Sequence, residues 1–104
     1  MLSKMKVNTQ SVNFTVDGKL VDFIQKKLDK LDHYYDKVIC ADVYLKVENT
    51  SAKENKIVEI KVSVPGDEFI VKKQRKSFEE GVDDVVGSLE RILIKRKEKV
   101  RANA

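Results

Sequence analysis

The chain has one cysteine, one histidine, one proline, four glycines and no tryptophan in 104 residues. Each scarcity excludes something. A lone Cys40 cannot close an internal disulfide, which rules out a disulfide framework and fits a reducing cytoplasm. His33 and Cys40 are each the only residue of their type, so the recurring zinc patterns lack ligands, and we expect no metal or nucleophile role for either: His33 reads as a helix end and Cys40 as a small strand residue. No carboxylate pair is placed across a cleft by the period of one element. No glycine-rich phosphate loop exists, since Pro65-Gly66 reads as a turn and Gly81 and Gly87 fall inside a helix. A helix-interior glycine costs about 1 kcal/mol relative to alanine, so we read these two as close-packing points. The expectation is a non-enzymatic protein with no catalytic residue, no metal, no cofactor and no small-molecule substrate. No run approaches the roughly 20 apolar residues needed to cross a bilayer, and Met1 to Thr9 carries Lys4 and Lys6 without an apolar run. We therefore expect no membrane association and no signal peptide.

What is present is charge and short-period patterning. Hydrophobic residues make up 41% and charged residues 37%, enough apolar content for a thin core under a large solvated surface. The length and the absence of a linker favour a single domain over residues 1–104. Twenty-one basic against 17 acidic residues leave a net charge of +4, which makes a polyanionic partner plausible only if the cations cluster.

Met5 to Ser11 reads as a short first strand. Leu20, Ile24, Leu28 and Leu31 then recur at helical spacing, with Thr15 or Asp17 available as cap, so a helix is predicted from Asp17 to near His33. Ile39, Ala41, Val43, Leu45 and Val47 alternate with polar residues, and Val58, Ile60, Val62 and Val64 repeat the pattern beyond the loop 49–55. These predict an antiparallel pair. Val64-Pro65-Gly66-Asp67 is turn chemistry leading into a strand from Phe69 to Lys73. Ser77 can cap a last helix running to about Lys99, with a stripe of Phe78, Val82, Val85, Leu89 and Ile92 and with Val86 and Leu93 on its margin. The predicted fold class is α+β: a two-layer β-α-β-β-β-α sandwich in which both helices cover one face of a four-stranded sheet.

The charges are unevenly placed. Glu79, Glu80, Asp83 and Asp84 occupy the start of the last helix, while Arg91, Lys95, Arg96, Lys97, Lys99 and Arg101 crowd its end. Dipole complementation accounts for a few charges at each terminus; the basic excess is larger than that. Arg91, Lys95 and Lys99 align as a ridge, and Arg96 stands where the apolar stripe should continue, as if the helix outran its core. Lys19, Lys26 and Lys30, with Lys27 close by, form a basic row on the first helix, and Lys72, Lys73, Arg75 and Lys76 cluster before the second. The last cluster can equally protect an edge strand. If the helices pack side by side, these rows can line a patch suited to a phosphate backbone. Tyr34 and Tyr35 more readily close the core edge than stack on bases.

The helix ending Leu28-Asp-Lys-Leu31-Asp-His-Tyr34, the Val82-Asp83 pair, and Leu89-Glu-Arg91 within a basic terminal helix resemble the ribosome hibernation-promoting factor and ribosome-associated inhibitor family, in its short form. The resemblance spans nearly the whole chain. It implies a fold similar to double-stranded RNA-binding domains and binding to ribosomal RNA in the small-subunit channel for messenger and transfer RNA, silencing translation under starvation or in stationary phase. By position it assigns ribosomal RNA contacts to Arg91, Lys95, Lys99, Lys27 and Lys30. Ser77 and Glu79 stand where the family usually has Asp and Tyr, and Ile92 replaces a usual glutamine. The long form's C-terminal ribosome-pairing domain is not expected here, so pairing would need a separate ribosome-dimerising factor. Two other readings remain at this stage: a general double-stranded RNA-binding module, and a protein-interaction adaptor using the open sheet face and Ile94.

Overall fold

The computed structural model describes residues 6–12, 14–35, 37–48 and 53–102, with the side chains of residues 32 and 100–102 set aside. Met5, the loop segment 49–52 and the Arg101 side chain thus lie outside the described residues. The elements run β1 (Lys6–Val12), α1 (Gly18–Asp29), a 3-10 turn (Lys30–His33), β2 (Cys40–Val47), β3 (Lys56–Val64), β4 (Asp67–Arg75) and α2 (Phe78–Ala102). The expected β-α-β-β-β-α order is present.

The sheet order is β1-β2-β3-β4, with β1 parallel to β2 and the other neighbours antiparallel. A parallel pair cannot be joined by a tight hairpin, and α1 supplies the crossover. Asp17 caps α1 by accepting a 2.8 Å bond from the Leu20 amide, and Ser77 Oγ accepts from the Glu80 amide at 3.2 Å at the start of α2. Gly66 adopts φ +81° after Pro65, a backbone state that L side chains rarely take, and this permits the tight β3–β4 connection.

Ala41, Val43 and Leu45 of β2 and Val58, Ile60, Val62 and Val64 of β3 are buried beneath Leu20, Ile24, Leu28 and Leu31 from the first helical segment and Phe78, Val82, Val85, Val86, Leu89 and Leu93 from α2. Burial of one such aliphatic side chain contributes roughly 1.5–3 kcal/mol. The two-layer arrangement follows because each helix has one apolar stripe and the sheet one apolar face.

Five local readings need correction. The first helix finishes as a 3-10 turn, and β4 is longer than Phe69–Lys73. Ile39 precedes β2 and is 58% exposed, although its amide still bonds the Ser63 carbonyl at 2.8 Å. Leu93, not Ile92, is fully buried, because the helix is rotated slightly from the predicted stripe. Gly81 is a close-packing point, since a Cβ there would lie 2.6 Å from a Val58 methyl; Gly87 is not, its added Cβ meeting only Arg91 of its own helix at 3.9 Å.

Candidate nucleic-acid interface

The directions of β4 and α2 decide where the cations lie. Arg75, at the end of β4, pairs with Asp84 early in α2 at 2.6 Å, and Asp67, at the start of β4, pairs with Arg96 late in α2 at 3.0 Å. The helix therefore runs antiparallel to the strand that precedes it. Phe14 and Phe78 stack at 4.7 Å between ring centroids, so the chain enters α1 and α2 at the same end of the molecule. The 3-10 turn after α1 also packs on α2.

This arrangement divides the predicted basic set. Lys73, Arg75 and Lys76 lie near the start of α2, about 25 Å along the helix axis from Lys95 at 1.5 Å per residue. They are accompanied there by Glu79, Glu80, Asp83 and Asp84, and the stretch Ser77 to Asp84 contains no basic residue. Lys72 lies on the opposite face: it pairs in register with Glu59, whereas Lys73 pairs with buried Val58. The run Lys72 to Lys76 is thus not continuous with the basic end of α2.

At the other end, α2 passes the last core residue, Leu93, and continues with exposed or half-exposed positions through Lys99. From Arg91 to Lys99 five basic residues accompany one acid, Glu98. Lys95, Lys97 and Lys99 have no ion-pair partner among the described residues, and neither do Lys26 and Lys30 at the end of α1. Arg91 bends onto its own helix, donating from Nη2 to Ser88 Oγ at 3.2 Å.

Two helix cations of the predicted set are already engaged. Lys27 bonds Asp83 across the helix pair at 2.8 Å and sits 5.4 Å from the Phe23 ring centroid. Arg96 donates to Asp67 and, from Nη2, to the Pro65 carbonyl at 3.2 Å, with its Nε buried and unpartnered. The helix rows do not form a shared groove, because an acid of α2 faces Lys27. Steps of four residues over-rotate by roughly 40° each, which carries the Arg91–Lys95–Lys99 ridge toward β4. There Lys95 and Lys99 join Ile92, Arg96, Asp67 and Phe69 around a groove of about 210 Å³. Asp67 and Phe69 were absent from the predicted set. The turn at Pro65-Gly66 is a local signal for where Asp67 sits, but its partnership with Arg96 crosses 29 residues.

The tyrosines separate as well: Tyr35 is buried against the core and Tyr34 is exposed. Among the described residues no group of His, Cys, Asp and Glu is placed to hold a metal ion, and no helix is long and apolar enough to cross a membrane.

Residues 7–101 match the family described as Sigma 54 modulation protein / S30EA ribosomal protein. A ribosome hibernation promoting factor of Pseudomonas putida is 30% identical over 95 residues, covering 91% of this chain and 89% of that protein. A Bacillus subtilis ribosome hibernation promotion factor is 28% identical over 98 residues, covering 92% of this chain and 50% of its own length. Among solved structures, a ribosomal subunit interface protein from Coxiella burnetii superposes with a TM-score of 0.79 at 21% identity, over 90% of this chain and 99% of that one. The N-terminal domain of Thermus thermophilus Protein Y gives 0.75 at 23%, over 89% and 98%. The two structures share the fold, and the sequence match over residues 7–101 carries the assignment: the chain belongs to the Sigma 54 modulation protein / S30EA ribosomal protein family.

Proposed function

We propose that this chain is a cytoplasmic ribosome-binding translation inhibitor that occupies the small-subunit channel for messenger and transfer RNA, with ribosomal RNA held against the basic end of the helical layer. The observation that carries the reading is the stretch Arg91 to Lys99 of α2, which runs past the last core residue and carries five basic residues beside one acid. Such a segment repels itself unless an anionic partner compensates it, and phosphates do so at every nucleotide. Lys26, Lys30, Arg91, Lys95 and Lys99 are the proposed direct contacts. Lys27 and Arg96 stiffen the surface through their internal ion pairs, while Lys73, Arg75 and Lys76 make at most a second, weaker contact because acids neutralise that end. The names of the Pseudomonas and Bacillus relatives support hibernation as the physiological setting.

Occlusion is tested by displacement. Purified small subunits are loaded with the chain and challenged with transfer RNA, and an unrelated RNA duplex serves as a second ligand at matched salt. The proposal expects competition with transfer RNA and clear preference for the subunit. Equal affinity for the arbitrary duplex would instead assign a general double-stranded RNA-binding module.

A further inference from the structure

We propose that the groove between the start of β4 and the C-terminal half of α2 is a subsite for one unpaired nucleotide, its base on Phe69 and Ile92 and its phosphates against Lys95 and Lys99. The inference rests on the ribosome-binding reading and assigns one part of that surface a distinct ligand chemistry.

The groove holds about 210 Å³, below the roughly 300–1,000 Å³ of ordinary small-molecule pockets. It suits one base, not a complete cofactor. Phe69 and Ile92 are both half-buried, Phe69 packing against the core, so each leaves some apolar surface for a ligand. Base stacking on aromatic and apolar side chains tolerates any base, because every base has a π-face.

Its charge selects an anion. Asp67 would oppose a phosphate, but its carboxylate is bonded by Arg96, whose other terminal nitrogen donates to Pro65. With Asp67 compensated in this way, Lys95 and Lys99 set the sign of the rim, and both are exposed without an ion-pair partner among the described residues. Cations beside an apolar floor match a nucleotide, which carries a phosphate next to a flat apolar ring. A duplex has its bases stacked away and offers only the phosphate.

The full-length chain, labelled at isoleucine methyls and phenylalanine rings, is titrated by NMR with a single-stranded oligoribonucleotide. A fully paired duplex and poly-glutamate at equal charge are the controls. Ile92 and Phe69 signals are expected to move upfield with the single strand and to stay in place with both controls. Ile92→Gln, at a half-exposed position that the fold tolerates, is expected to weaken single-strand binding about fivefold. Unmoved Ile92 and Phe69 signals at saturating single strand, or equal shifts with poly-glutamate, overturn the subsite. Ribosome cosedimentation of the same preparation separates the two readings. A chain that pellets with ribosomes but shows no Ile92 response overturns the subsite alone, and one that never pellets overturns the ribosome reading on which it rests.

Discussion

Gly81→Ala and Gly87→Ala are the same chemical change in one helix, yet the structure predicts different outcomes. Both replacements remove backbone freedom from the unfolded chain and raise helix propensity, a gain of up to about 1 kcal/mol each. At Gly87 nothing opposes it, because the new methyl meets only the mobile end of Arg91 at 3.9 Å. At Gly81 the new Cβ would lie 2.6 Å from Val58 Cγ2 and 3.3 Å from Val58 Cβ. Val58 is fully buried on β3, a strand with neighbours on both sides, so its methyl cannot simply swing into solvent. Overpacking of this kind costs about 1–3 kcal/mol. The shared propensity gain cancels in the difference, leaving Gly81→Ala about 1–3 kcal/mol less stable than Gly87→Ala. Urea denaturation followed by circular dichroism, with a common slope for both variants, measures this directly. In thermal melts the gap is at least about 4 °C for a domain of this size. Equal stabilisation by both substitutions would refute the close approach of α2 to β3.

The helix caps give a second test: Asp17→Ala, which loses the bond to the Leu20 amide, is expected to cost about 1 kcal/mol in urea melts. Lys27 and Asp83 are partly exposed, at 31% and 53%, so a double-mutant cycle on stability should return a coupling of only about 0.2–1 kcal/mol. A value near zero would mean that the pair does not order the two helices. Lys73→Ala with Lys76→Ala should leave ribosome affinity within about threefold, as measured by filter binding, because the acids at the start of α2 already offset that end.

The fold was legible where a single period acts on a surface with one wet side. Ala41, Val43 and Leu45 had to share a face, and Val58 to Val64 had to meet them, whatever lay elsewhere in the chain. Leu93 and Ile92 were harder to rank, because neighbouring residues near a stripe exchange burial with a small helix rotation. That rotation depends on contacts such as Gly81 against Val58, which no local pattern encodes. The cations show the same division. Strand alternation alone separates Lys72 from Lys73, and applying it to the basic run would have divided that cluster. The separation of the run from the tail of α2 follows from strand and helix directions. The Asp67–Arg96 pair, which engages one residue of the predicted basic set within the protein and forms one wall of the groove, joins residues 29 apart and had no sequence signal.

On the proposed function, phosphate contacts at the basic end of the helical layer hold the chain on the ribosome. Cosedimentation with small subunits through sucrose gradients, at several salt concentrations, compares the unaltered chain with Arg91→Ala/Lys95→Ala/Lys99→Ala. Stoichiometric, salt-sensitive binding of the unaltered chain is expected. The triple variant should bind much more weakly, with a salt dependence shallower by about 2–3 in the log–log slope, one phosphate contact per removed cation. Binding of the triple variant with unchanged affinity and slope, or failure of the unaltered chain to enter the subunit fraction even at low salt, would contradict it.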